Sequence, residues 1–155
     1  MDAFEFATAG RVMFGAGRSA ELPGLLARYG SRVLACTGAS PDRHADLLAR
    51  LGLPTAVFPV AGEPTVDLAR AAAAAAREHR ADVVAAIGGG SVIDTAKAAA
   101  MLLGNGGDPL DYLEVIGAGR PITRPSAPCV AVPTTAGTGR GLPGRDRGQR
   151  PGLAR

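Results

Sequence analysis

The sequence contains no tryptophan, and only two tyrosines and four phenylalanines in 155 residues. So few flat side chains leave little on which to stack bases, and no nucleic-acid partner is expected. Cys36 and Cys129 are the only cysteines, too few for a disulfide framework or a cysteine-based zinc site. A reduced, cytoplasmic compartment fits that scarcity. His44 and His79 are the only histidines, too few for a three-histidine metal site. Both fall among charged neighbours on helical segments and read as surface positions. Lys97 is the sole lysine, one turn past Ser91, and reads either as facing a phosphate or as a solvated helix position. No apolar run approaches the ~18 residues of a transmembrane helix, so no membrane partner is expected. The opening MDAFEFATAGRVMFG lacks a basic start followed by an apolar stretch, so no secretory signal is expected.

The net charge of +3 is unevenly spread. Residues 1–139 hold 12 basic and 13 acidic residues, and residues 140–155 hold five arginines and one aspartate. The excess basicity therefore sits in the ending and not on a folded face. Alanine accounts for 31 residues, so large apolar side chains are fewer than the 46% hydrophobic content suggests.

Strand-like and helix-like segments alternate through residues 1–139. Arg11–Phe14 is a short β-prone run. Ser19 can cap a helix in which Leu22, Leu25, Leu26 and Tyr29 fall at helical spacing, with Gly30 as a stop. Arg32–Thr37, Thr55–Val60, Asp82–Ile87 and Cys129–Val132 read as buried strands, with both cysteines as core thiols. Ser40-Pro41-Asp42 and Thr65 are helix starts, the second leading into six consecutive alanines at 71–76. Ser91 begins a helix that Gly104 is expected to end. Near-continuous apolar strands separated by helices predict an α/β fold with a doubly wound parallel sheet. RGLPGRDRGQRPGLAR at 140–155 has no apolar periodicity and is expected to be a disordered tail.

Chemistry concentrates at Gly88-Gly89-Gly90-Ser91-x-x-Asp94, between an apolar strand and a helix. Three glycines let a ligand approach the backbone closely, and the helix start offers free N–H groups and a positive dipole end to a phosphate. Ser91 with Asp94 reads alternatively as a capping box. Pro133–Gly139 (PTTAGTG) also follows an apolar strand and supplies hydroxyls and amides for phosphate or ribose. Gly15-Ala16-Gly17-x-x-Ala20 fits a dinucleotide fingerprint in letters only. Its strand is short and no acid stands about 20 residues on, so a tight turn is the simpler reading.

GGGSVIDTAK at 88–97 together with PTTAGTG at 133–139 resembles the iron-containing alcohol dehydrogenase family. Phe14-Gly15-Ala16-Gly17 and Glu63-Pro64-Thr65 keep the same register, and the resemblance covers about residues 1–139. It implies a dehydroquinate-synthase-like architecture, with a dinucleotide-binding α/β domain at 1–139 followed by an all-helical metal domain. It also implies an oxidoreductase that interconverts a small alcohol with an aldehyde or ketone, using NAD or NADP and usually Fe²⁺. On the same grounds Gly88, Gly89, Gly90, Ser91 and Asp94 would hold the pyrophosphate and ribose region. Thr134, Thr135, Gly137 and Thr138 would line the phosphate and nicotinamide side. Gly38 stands where many members carry an Asp that holds the adenosine ribose, so NADP is expected to be tolerated, with Ser40 and Arg43 nearby. Maleylacetate reductases are similar but usually carry Gly at the position of Asp94, and glycerol dehydrogenases Lys at the position of Ser91. Both comparisons favour the alcohol dehydrogenase branch, with a maleylacetate reductase-like enzyme as an alternative.

After Gly139 the family pattern continues with a small residue and Glu, whereas here Arg140 and Gly141 follow. The helical domain, with its Asp and three His ligands, has no counterpart in this sequence, so no catalytic or metal-binding residue is assigned. The expectation is a truncated cofactor-binding half whose Arg/Gly/Pro ending has the character of a shifted reading frame in GC-rich DNA. Hydride transfer needs a group that polarises the alcohol oxygen, which leaves a non-catalytic nucleotide-binding fragment as the other reading. An apolar face left open would favour homo-oligomers. Deleting residues 140–155 is expected to leave helical content and Tm nearly unchanged, because a segment without an apolar stripe makes few contacts. Circular dichroism melts of the full and shortened chains check this.

Overall fold

The computed structural model describes residues 10–135. The tail at 140–155 and the ends of the 1–139 domain lie outside those residues, as do Gly137 and Thr138.

Four parallel strands form one sheet: β1 (Val33–Gly38), β2 (Thr55–Val60), β3 (Val83–Gly88) and β4 (Cys129–Pro133), in the order β2-β1-β3-β4. The central pair is in register from Val33 opposite Val83 to Thr37 opposite Ile87. β1 and β3 are the central strands and are apolar along nearly their whole length, since both of their faces are covered. Edge strand β2 accommodates Pro59, whose missing N–H would interrupt a central ladder.

Helices cover both faces, as the alternation of segments predicts. α1 (Leu22–Ala27) and α2 (Ala45–Ala49) lie on one face. There Leu22, Leu26 and Leu51 pack against Val33, Ala35, Val83, Ala85 and Ile87. α3 (Val66–Glu78) and α4 (Gly90–Asn105) lie on the other. Ala72 and Ala76 of α3 and Ala96, Ala99 and Ala100 of α4 pack against Leu34, Cys36, Val84 and Ala86. Ala72, Ala73 and Ala76 of the alanine run, with Ala69, are thus the buried stripe of α3, small enough to bring the helix close to the sheet. Thr65 caps this helix as its position suggests, with its hydroxyl accepting from the Leu68 N–H at 3.1 Å. Burial pushes the Cys36 thiol up to about 12, and nearby Cys129 adds to the shift. Such a thiol is inert.

Several local expectations are corrected. Residues 11–14 form no strand, and Val12 and Phe14 are 77% and 97% exposed. Ser19 is not a cap. It lies within a 3-10 turn, Arg18–Glu21, entered through Gly17 in the left-handed region. With no strand before them, Gly15 and Gly17 serve a turn. Gly104 does not end α4, which runs to Asn105 and closes at Gly106, φ 74°. Gly104 is small for another reason: a Cβ there would collide with the Pro125 carbonyl oxygen and approach the Ser126 Cα to 3.1 Å. That contact seats the irregular chain leading into β4. Pro109–Tyr112 forms the short helix α5, and Asp108 and Asp111 make its capping box. Cys129 is exposed, because β4 is an edge strand and its Cys129 and Ala131 side is uncovered. Leu113, Val115, Ile116 and Ile122, between α5 and β4, are also exposed.

Asp82, at the foot of β3, ties the α1–β1 turn to the sheet. Its carboxylate accepts from the Ser31 N–H, the Ser31 hydroxyl and the Arg32 N–H, each at 2.8 Å. Desolvation pushes this carboxyl up, but the donors from Arg32 and Ser31 outweigh it and hold its pKa below the usual carboxylate range. A depressed pKa contributes stability above the unfolded value, and that contribution is lost as pH falls through the folded one. Asp82→Asn is therefore expected to cost about 1 kcal/mol at neutral pH, a modest figure because the side chain is exposed. Urea denaturation of both proteins across the acid range checks this, with the difference shrinking as the carboxylate protonates.

Candidate functional site

The loops after β1 and β3 lead to helices on opposite faces of the sheet, α2 and α4. The strand ends between them form the crevice at which open α/β sheets take ligands. A cleft of about 480 Å³ opens there, lined by residues that follow all four strands. Ala39 comes from the end of β1, and Val60, Gly62 and Glu63 from the end of β2. Gly89, Gly90, Ser91 and Val92 follow β3, and Thr135 follows β4. A smaller hollow of about 330 Å³, between Arg32, Glu78 and His79, lies at the opposite end of the sheet.

The triple glycine divides its work. Gly88 ends β3 beneath the first turn of α4, where a Cβ would meet the Val92 side chain at 2.6 Å. Only a hydrogen fits, so helix and strand meet closely. Gly89 is the N-cap, with extended backbone at φ −81° and ψ −168° that any residue can adopt. A Cβ there would make only ordinary contact with Thr135, at 3.4 Å. Gly89 offers no capping side chain to α4, and the first turn of the helix carries no acid. The dipole end and the amides of that turn therefore face the cleft without a built-in anion. The helix begins at Gly90, so Ser91 lies inside its first turn and Asp94 in its second, and the capping-box reading fails. Thr134 donates its N–H to the Gly88 carbonyl oxygen at 3.0 Å, which clamps the β4 loop against the glycine loop.

Of the residues singled out in the sequence, Gly89, Gly90, Ser91 and Thr135 line the cleft directly. Gly88 and Thr134 hold the two loops together behind it. Gly38 ends β1 with open space at its Cβ position. Asp94 sits further along α4, half-buried and outside the lining. Gly137 and Thr138 lie outside the described residues. Ser40 and Arg43 are not part of the lining, and neither is the exposed Lys97.

The sequence reading missed Ala39, Gly62 and Glu63 as lining residues. Gly62 is the signal that could have found the last of these. It has φ 83°, a turn conformation that glycine adopts without strain. Glu63 then precedes Pro64, which restricts it to extended backbone.

Among the described residues no three His, Cys, Asp or Glu side chains come together in a way that could hold a metal ion. The described residues do not fit an iron centre. No helix of the described residues is long and apolar enough to cross a membrane.

Comparison with known proteins yields consistent matches. The profile of the family described as iron-containing alcohol dehydrogenase matches residues 9–142. A 4-hydroxybutyrate dehydrogenase of Cupriavidus necator is 45% identical over 89 residues, 57% of this chain and 23% of that protein. A long-chain-alcohol dehydrogenase of Geobacillus thermodenitrificans is 40% identical over 80 residues, 52% of this chain and 20% of that protein. Among solved structures, the sulfoacetaldehyde reductase of Bifidobacterium kashiwanohense in complex with NAD⁺ superposes with a TM-score of 0.77 at 28% identity. That match covers 90% of this chain and 38% of the other. The chain thus spans about a quarter or less of these curated relatives and under two fifths of that structure.

The two glycines should respond differently to one added methyl group. Gly88→Ala is expected to destabilise the fold by about 1–3 kcal/mol, because Val92 must move. Gly89→Ala should change stability by less than about 1 kcal/mol, since its dihedrals and space admit a Cβ. Paired urea melts check the difference.

Proposed function

The chain belongs to the iron-containing alcohol dehydrogenase family, and on that premise we propose that its strand-end cleft binds a nicotinamide dinucleotide, NAD or NADP. The observation that carries this reading is the uncapped, glycine-built start of α4 opening into a cleft bounded by the ends of all four strands. The backbone N–H groups of Gly90 and Ser91 and the Ser91 hydroxyl hold the pyrophosphate, and the bare Gly89 lets it approach. Thr135 faces the same space from β4 and donates its hydroxyl to phosphate or ribose. Thr134 and Gly88 position the two loops. Gly38, Asp94, Gly137 and Thr138 are assigned to the ribose and nicotinamide ends by the family resemblance alone: Gly38 and Asp94 do not line the cleft, and Gly137 and Thr138 lie outside the described residues. The likeness to a reductase solved with NAD⁺ supports the same assignment.

The whole protein's reaction is proposed as hydride exchange between a small alcohol and its aldehyde or ketone. In that reaction this part supplies cofactor binding and orientation. The polarising group that such a transfer needs has no fitting ligand set among the described residues, which supports the reading that the 155-residue chain binds cofactor without turnover. A cytoplasmic location and self-association belong to the same proposal.

Titrating the chain with NADH or NADPH, followed by nicotinamide fluorescence, is expected to show saturable binding. Alcohol, NAD⁺ and Fe²⁺ together should produce no reduced nicotinamide. Gly89→Val places a branched side chain at the point of phosphate approach and should weaken binding by at least about tenfold with Tm little changed. Normal binding by that variant would reduce the loop to a turn, and steady alcohol-dependent reduction would overturn the non-catalytic reading.

A further inference from the structure

We propose that Glu63 makes the cleft select NAD over NADP, an inference that rests on the cofactor reading above. In doubly wound sheets a carboxylate beyond a strand neighbouring the phosphate loop reads the adenosine ribose. It accepts from the ribose 2′-hydroxyl and repels a 2′-phosphate. Here the phosphate loop follows β3, and its neighbour β1 ends in Gly38 and Ala39 without a carboxylate. Read from β1 alone, that points to tolerance of NADP. The fold changes the outcome, because the cleft continues past Ala39 to the end of β2 and takes in Glu63.

Among the described residues Glu63 is the one titratable side chain in the lining. The basic candidate beyond β1, Arg43, is not part of it. Nothing described neutralises Glu63, which has no ion-pair partner among the described residues. Its backbone is set by chain chemistry and not by packing. Gly62 turns through the left-handed region before it. Pro64 follows it, and the chain is pinned two residues on, where Thr65 caps α3 at 3.1 Å. An exposed carboxylate on a fixed turn thus stands on the same cleft as the anion-accepting end of α4. A dinucleotide whose pyrophosphate sits on α4 and whose adenosine half runs toward β1 and β2 meets it. A 2′-phosphate brings between one and two further negative charges to that place.

The test titrates the full chain with NAD⁺, NADP⁺, AMP and adenosine 2′,5′-bisphosphate by calorimetry, at low and high ionic strength. The wild type is expected to bind NAD⁺ at least about tenfold more tightly than NADP⁺ at low salt, with the ratio shrinking as salt rises. AMP should be preferred over the 2′,5′-bisphosphate in the same sense. Glu63→Gln should reduce the preference at least about fivefold, and Glu63→Lys should reverse it, both with unchanged Tm because the side chain is exposed. Equal binding of NAD⁺ and NADP⁺ by the wild type, or an unchanged ratio in Glu63→Gln, would overturn the role of Glu63 while leaving the cofactor cleft standing. Binding of none of the four ligands would remove the cofactor reading and this inference with it.

Discussion

The cleft depends on how closely α4 meets the end of β3. The contact requires that position 88 carry no side chain, since a Cβ there would lie 2.6 Å from Val92. Small residues extend the close approach along the rest of the helix. Ala96, Ala99 and Ala100 lie against β3 and α3, and Gly104 lies against the chain that leads into β4. A bulkier face would lift the helix from the sheet and carry its amino end away from the strand ends. The alanine and glycine content that makes the composition look poor in core-forming residues is what positions the site.

The electrostatics of the cleft follow from the same geometry. α4 begins on glycine, without a capping side chain and without an acid in its first turn. The partial positive charge of the helix end is left for a ligand. α3 is treated in the opposite way, with the Thr65 hydroxyl and Asp67 in its first turn satisfying its amino end. The difference between the two helices separates a structural helix start from one available for binding. Glu63 stands between them on the chain that joins β2 to α3, and it brings negative charge to the far side of the cleft.

Much of the fold is legible in the linear pattern. Thr55–Val60 is a strand with the expected bounds, and the strands beginning near Arg32, Asp82 and Cys129 are displaced by only a residue or so. Strong, local physics underlies each: β-branched apolar runs closed by glycine or proline, and a threonine ahead of an alanine helix. The failures are equally physical. Val12 and Phe14 have strand-forming side chains but no partner strand, and a β-prone run cannot satisfy its backbone alone. Gly104 looked like a helix stop, yet its smallness serves a contact with Pro125 that is remote in sequence. Cys129 has an apolar sequence context, and only its place at the sheet edge leaves it exposed.

At the site the same division holds. The glycine loop at 88–90 and the threonines at 134–135 stand out in the sequence because glycine and short polar residues directly after an apolar strand leave the backbone open to close approach. Their meeting, with Thr134 bonded to Gly88 at 3.0 Å, depends on β4 pairing beside β3 across about forty intervening residues. Glu63 carries no such local mark. Its sequence neighbours show a turn and a helix cap, and nothing in them says that the turn opens on the cleft. Strand order decides that, since it places the end of β2 next to β1 and leaves one continuous crevice reaching α4. The sequence by itself determined which segments could be strands, helices and phosphate-type loops, because those preferences act over a few residues. The tertiary structure alone decided which loops share a cleft and which charge they face, because strand pairing joins residues that the chain keeps apart.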